Sequence, residues 1–321
     1  MTFAGSPDRV EAQLVPERGY AFDAFAISGF PRRPGLPLLR ALVRALAAPA
    51  ACLRILDRRR PDVVLGGGGY VAGPMVLAAW LRRIPAAVTE ADAHLGLANR
   101  LAAPFARRVF LALPVRREGE KFRVVGRPVP AASRAAPRAE ARARLELPAE
   151  GPVVLVFGGS LGARLLNETA LDAWAESGPA VLHLCGERDY DELRGRVSRP
   201  DYRLLPFLDE IGLAYGAADV AFARAGGSVW ELAAAGLPAV LVPGAFATGD
   251  HQVKNAGWFE RAGGAAVVPE GEVARAPGLV AELLGDGARL AEMAEAMRAA
   301  ARPDAAEVIA DELVSLAAAR R

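Results

Sequence analysis

Three glycine-containing stretches and one polar cluster carry residue types that could hold an anion and a hydroxyl-rich ligand. Val153-Val154-Leu155-Val156-Phe157 runs into Gly158-Gly159-Ser160-Leu161-Gly162-Ala163, an apolar strand that ends in glycines as a helix begins. Glycine lets backbone N–H groups approach an anion, and a helix N-terminus favours negative charge. Ser160 adds a hydroxyl there or caps the helix. Arg224-Ala225-Gly226-Gly227-Ser228-Val229-Trp230-Glu231 repeats the arrangement after another strand. Ser228 stands at an N-cap position with Glu231 three residues on, which fits a capping box. The same spacing fits a carboxylate that accepts the hydroxyls of a ribose beside a phosphate-sized turn. Asp250-His251-Gln252-Val253-Lys254-Asn255-Ala256 crowds polar side chains after the turn Pro243-Gly244, as a sugar would require. Gly66-Gly67-Gly68-Gly69-Tyr70-Val71-Ala72-Gly73-Pro74 contains G-x-G-x-x-A with Glu90 about 20 residues on, a weak imitation of a dinucleotide fingerprint.

The elements that must position these residues alternate short apolar runs with helical patterns, the signature of βαβ units and parallel sheets. Strands are expected at Thr2–Ala4, Val63–Leu65, Ala86–Thr89, Val109–Ala112 and Phe122–Val125, then at Val153–Phe157, Ala180–Leu184, Tyr202–Leu205, Val220–Ala223, Ala239–Val242 and Ala265–Val268. Helical patterns cover Leu38–Arg59, Pro74–Arg82, Leu97–Phe105, Ala163–Ser177 and Ser228–Ala235. Ala131–Pro148 reads as a linker running into a helix. The fold class is therefore α/β, two halves of similar size facing a cleft, with ligands beyond the carboxyl ends of the strands.

A chain of 321 residues with 52% hydrophobic residues has material for about two domains and is not a disordered polymer. Cys52 and Cys185 sit in separate apolar segments and cannot build a disulfide framework or a cysteine zinc site. The net charge of +2 conceals an asymmetry: Ser28–Arg60 holds eight arginines and one acid. Within it, Leu36, Leu38, Leu39, Leu42, Val43 and Leu46 alternate with Arg40 and Arg44, and Trp80-Leu81-Arg82-Arg83 ends a later helix. That pattern fits an anionic membrane surface. The uncharged stretch Val63–Leu81 has glycines and Pro74 in its middle, which argues against a membrane span. No metal site, organic cofactor or nucleic-acid partner is expected.

Taken in order, these motifs resemble the MurG-type family of N-acetylglucosaminyltransferases. The resemblance rests on Gly68-Gly69-Tyr70-Val71-Ala72-Gly73-Pro74, Glu90 with Asn99-Arg100, Gly126-Arg127-Pro128-Val129, and Gly158-Gly159-Ser160-Leu161-Gly162-Ala163 with Asn167. It continues through Pro206-Phe207-Leu208-Asp209, the Arg224–Glu231 segment and Asp250-His251-Gln252. It implies a GT-B fold of two Rossmann-like parallel-sheet domains: residues 1–130 facing acceptor and membrane, 131–300 binding UDP-GlcNAc, and 301–321 a helix crossing back to the first domain. Gly159, Ser160 and Gly162 would lie beside the donor with Asn167 supporting their loop, and Leu208 at the uracil. Arg224, Gly226, Gly227 and Ser228 would surround the diphosphate. Glu231 would hold the ribose, and His251 and Gln252 would meet the sugar hydroxyls. Gly68, Gly69, Tyr70, Glu90 and Asn99 would belong to the acceptor side.

The implied activity is an inverting, metal-independent transfer of GlcNAc from UDP-GlcNAc to the 4-hydroxyl of MurNAc in undecaprenyl-linked lipid I. The product is lipid II, made in peptidoglycan synthesis by a peripheral enzyme on the cytoplasmic face of the cell membrane. Glu90 is the best base candidate present. Other readings are a different nucleotide-sugar enzyme (a glycolipid transferase or sugar epimerase), an NAD-dependent oxidoreductase, and a non-catalytic UDP-GlcNAc-binding protein. Three departures from the family pattern stand out. The Arg224–Glu231 stretch is one residue shorter, the family's His-Glu-Gln-Asn is Thr89-Glu90-Ala91-Asp92, and its Asn-Pro-Val-Arg is Arg127-Pro128-Val129-Pro130, without its arginine. The chain also opens on what reads as the family's second strand, without the glycine turn and His that precede it there. That implies a first sheet interrupted in its middle, a less stable N-terminal half, and donor binding with slow turnover or none.

Overall fold

The computed structural model describes residues 1–29, 35–115, 119–159, 162–244 and 251–320. The chain forms two compact units, Met1–Gly126 with Ala305–Arg321, and Arg127–Asp304.

In the first unit, β1 (Thr2–Gly5) and β2 (Ala21–Ala24) pair in parallel. β3 (Val64–Gly66), β4 (Ala86–Glu90), β5 (Arg108–Leu111) and β6 (Phe122–Val124) form a second parallel sheet in that order. Among the described residues β1 pairs only with β2 and β3 only with β4, so each sheet keeps an unpaired edge. The helix Leu36–Arg59 turns Ala41, Ala48, Cys52, Ile55 and Leu56 inward, against Phe25, Val64, Val76 and Val88. The last helix, Ala305–Ala318, also belongs here. Its Ile309 packs with Ala87, Phe110 and Val125, and Glu312 accepts from Arg108 at 3.0 Å and pairs with Arg123 at 3.3 Å.

The second unit is one six-stranded parallel sheet in the order β12-β11-β10-β7-β8-β9. Its strands are β7 (Val153–Phe157), β8 (Ala180–Leu184), β9 (Tyr202–Leu205), β10 (Val220–Ala223), β11 (Ala239–Leu241) and β12 (Ala265–Val267). All residues of β7, β8, β10 and β11 are buried. A parallel sheet covered on both faces demands continuous apolar strands, which is why these runs were visible in the sequence. Chain order reverses between β7 and β10, a topological switch point of the kind where ligands of such sheets bind.

Two expectations are corrected. β2 was not read as a strand, because its one buried side chain is Asp23. That carboxylate is tolerated on a sheet because Arg58 and Arg59 reach it at 2.5 and 2.8 Å. The helix expected from Pro74 begins at Gly69 and carries Pro74 inside it. A proline there forfeits one backbone hydrogen bond, and the burial of Ala72, Val76, Ala78 and Ala79 outweighs that loss.

Candidate functional site

The second unit places two of the glycine motifs side by side. β7 and β10 are neighbours in register Phe157↔Ala223, so Gly158 onward and Arg224 onward leave the same end of the sheet across the switch point. After β7, Gly162 adopts φ +71, and a Cβ there would press on the carbonyl of Cys185, 2.9 Å from its carbon. Only glycine fits. A buried network holds that carbonyl in place. Asn167 donates from Nδ2 to Cys185 O at 2.9 Å and to Asp189 Oδ2 at 3.0 Å, while its Oδ1 meets His183 Nε2 at 3.0 Å. His183 Nδ1 in turn meets the Tyr202 hydroxyl at 2.9 Å. Burial pushes the His183 ring down to about 3, so it is a neutral member of the network. Asn167 is therefore placed to brace the glycine loop from behind. Ser160, expected beside it, lies outside the described residues.

After β10, Ser228 makes no side-chain cap to the helix Val229–Ala235, so the capping-box reading of Ser228 and Glu231 does not hold. Glu231 turns elsewhere. Its Oε2 accepts from the Tyr215 hydroxyl at 2.7 Å and from Ser133 Oγ at 3.1 Å, and its Oε1 has no partner among the described residues. Tyr215 and Ser133 are themselves buried. Burial first, and the Glu231 charge second, push the Tyr215 phenol far above its ordinary value, so it stays a donor. A carboxylate gripped at one oxygen and open at the other is arranged to accept from a ligand hydroxyl. Neither Tyr215 nor Ser133 was singled out in the sequence, because no spacing rule links them to Glu231.

Arg224 is braced rather than open: Nη2 donates to Glu270 Oε1 at 2.6 Å and Nη1 to Val242 O at 3.2 Å. Gln252 accepts from Gly244 N at 2.8 Å, tying the start of the helix His251–Arg261 to the turn after β11. His251 opens that helix, one residue before Gln252, and Asp250 lies outside the described residues. Leu208 follows β9 at the sheet's edge, two strands from β7 and half-buried beside exposed Phe207.

In the first unit, three acceptor-side candidates come together. Glu90, at the end of β4, accepts from Asp92 N at 3.2 Å with Oε1, and from Gly96 N at 2.8 Å and Asn99 Nδ2 at 2.9 Å with Oε2. The Gly68 turn lies over the same cluster: a Cβ there would stand 3.8 Å from Asn99 Nδ2. Asn99 is buried, and its Oδ1 has no partner among the described residues. Gly69 opens the neighbouring helix, and the Tyr70 hydroxyl accepts from Arg9 Nε at 3.0 Å.

The chain is similar to known proteins over nearly its whole length. Residues 2–111 match the glycosyltransferase family 28 N-terminal domain and residues 153–309 its C-terminal domain. A UDP-N-acetylglucosamine--N-acetylmuramyl-(pentapeptide) pyrophosphoryl-undecaprenol N-acetylglucosamine transferase of Salinibacter ruber is 41% identical, covering 99% of this chain and 88% of that relative. The same transferase of Halorhodospira halophila is 42% identical, covering 97% and 88%. The crystal structure of Acinetobacter baumannii MurG superposes with a TM-score of 0.79 at 28% identity, covering 98% of this chain and 90% of that one. With its paired parallel-sheet units, its glycine turns at the switch point and these relatives over nearly its whole length, the chain belongs to glycosyltransferase family 28, among the MurG-type N-acetylglucosaminyltransferases.

Proposed function

We propose that the second unit holds UDP-GlcNAc and that GlcNAc passes from it to the MurNAc 4-hydroxyl of undecaprenyl-linked lipid I, giving lipid II. The observation that carries the donor assignment is Glu231, fixed by Tyr215 and Ser133 with one oxygen left for a ribose hydroxyl. It stands three residues beyond a glycine turn at the switch point. In the transfer, the acceptor oxygen forms a bond to C1 of GlcNAc as the bond from C1 to the β-phosphate oxygen breaks. The electron pair leaves with UDP and the acceptor proton passes to a base. Gly159 and Gly162 flank the donor, Leu208 lies at the uracil, and His251 and Gln252 meet the sugar. Arg224, Gly226, Gly227 and Ser228 line the diphosphate, and preorganised donors there stabilise the charge that grows on UDP.

On the acceptor side, Glu90 Oε2 accepts from two loop donors and Oε1 from Asp92 N, so the carboxylate is held in place by the loop that follows it. We assign Glu90 and Asn99 to shaping the 91–99 loop around the acceptor, with the Gly68–Tyr70 turn beside it. A lipid-linked acceptor also needs a membrane-facing surface. Leu36, Leu39, Val43 and Leu46 form one exposed stripe on the helix Leu36–Arg59, flanked by exposed Arg40 and Arg44. We propose that this stripe seats the first unit on the cytoplasmic face of the membrane as a peripheral enzyme. Among the described residues no helix is long and apolar enough to cross a bilayer.

Calorimetry and thermal unfolding test the donor assignment. Saturating UDP-GlcNAc is expected to release heat and raise the melting temperature. Neither effect at saturation would remove the assignment.

A further inference from the structure

The turn Gly226–Ser228 is touched by a second arginine, Arg127, which no motif assigned. Its guanidinium lies on Gly227: a Cβ built there would stand 2.5 Å from Arg127 Cζ and 2.6 Å from Nη2. Arg127 is only half-buried, yet among the described residues it makes no hydrogen bond or ion pair. Arg224, which the resemblance places at the diphosphate, already gives two of its five N–H donors to Glu270 and Val242. Six residues after Arg127, Ser133 is 3% exposed and donates to Glu231. The segment 127–133 therefore lies along the motif, with an unpaired cation at Gly227 and a hydroxyl on the ribose carboxylate. Pro128 and Pro130 restrict the backbone between those two contacts. The order matches a nucleoside diphosphate, whose anionic phosphates extend from the ribose on one side.

We infer that Arg127 binds the diphosphate of the nucleotide donor at the Gly226–Ser228 turn. The inference rests on the donor assignment made above. A guanidinium offers paired N–H donors in the geometry of two phosphate oxygens. Placed there it neutralises charge in the bound donor and more of it as the bond from C1 to the phosphate oxygen breaks. Gly227 belongs to the same device, because any larger residue would displace the guanidinium.

The test is calorimetry of the full chain with uridine, UMP, UDP and UDP-GlcNAc, for the wild type, Arg127→Ala, Arg127→Lys and Gly227→Ala. Arg127→Ala is expected to weaken UDP and UDP-GlcNAc by about 10- to 100-fold, the range for one lost charge-assisted contact. Uridine binding and the ligand-free melting temperature stay at wild-type values. Arg127→Lys recovers part of the loss, and Gly227→Ala follows Arg127→Ala. An unchanged ratio of UDP to uridine affinity in Arg127→Ala, including a case where both fall together, would overturn the assignment of Arg127 while leaving the donor site standing. A wild type that binds neither UDP nor UDP-GlcNAc would overturn the donor site and Arg127 with it.

Discussion

At the scale of single residues, the site depends on where a few side chains spend their hydrogen bonds. Glu231 is the sharpest case, since Tyr215 and Ser133 hold one oxygen and the other has no partner among the described residues. Glu231→Gln is expected to reduce discrimination between UDP and 2′-deoxy-UDP, because an amide has a single acceptor oxygen for Tyr215 and Ser133 and turns an uncharged NH2 toward the ribose. Tyr215→Phe keeps the carboxylate but frees it to turn. It should weaken UDP binding by about tenfold, the cost of one lost hydrogen bond to a charged group. Competition calorimetry with both nucleotides reads the two effects together. Unaltered discrimination in Glu231→Gln would move the ribose away from this residue. The spacing of three residues from Ser228 singles out Glu231 in the sequence, but nothing there singles out Tyr215 or Ser133. They reach it from 16 and 98 residues away, contacts that only the fold creates.

Among the elements, legibility followed burial. β7, β8, β9 and β10 were readable to the residue, β11 to within one residue of its end, because the second unit's sheet is covered on both faces. β2 was not, since a strand whose inward side chain is an aspartate breaks the apolar alternation that marks strands. The helical pattern Ala163–Ser177 exceeds the helix Arg164–Trp174 by one residue at its start and three at its end, where Glu176 and Ser177 are exposed and bury nothing. The Asp23 cluster gives a prediction at this scale. Hydrogen bonds from Arg59, and the charges of Arg59 and Arg58, hold the Asp23 carboxyl below its ordinary value of 3.8 despite its burial. Its contribution to the first unit is thus fully present above that ordinary value. It is lost as pH falls through the lowered folded value. Hydrogen exchange of the β1 and β2 amides should show this step in the wild type. In Asp23→Asn the step should vanish and protection at neutral pH should be lower. An identical acid profile in the two proteins would show that the cluster does not tie β2 to the helix Leu36–Arg59.

For the whole molecule, we propose that one unit holds the donor and the other meets a lipid-linked acceptor. Each basic residue near an anionic leaflet contributes about 1 kcal/mol, so Arg40 and Arg44 would add about 2 kcal/mol of salt-sensitive attraction to what the exposed leucine stripe contributes, far short of irreversible insertion. Co-sedimentation should therefore show binding to anionic vesicles that weakens with salt. Val43→Glu with Leu46→Glu should reduce it while UDP binding, in the other unit, is untouched. Equal partitioning onto neutral and anionic vesicles would remove this surface from the account. The central claim is the reaction itself, and the most direct measurement follows the sugar. With radiolabelled UDP-GlcNAc and purified lipid I, the label is expected in a lipid product whose mass exceeds that of lipid I by one GlcNAc residue, with one UDP released for each sugar transferred. Label recovered as free sugar, as an isomerised nucleotide sugar, or on some other glycolipid while lipid I stays unmodified would contradict it.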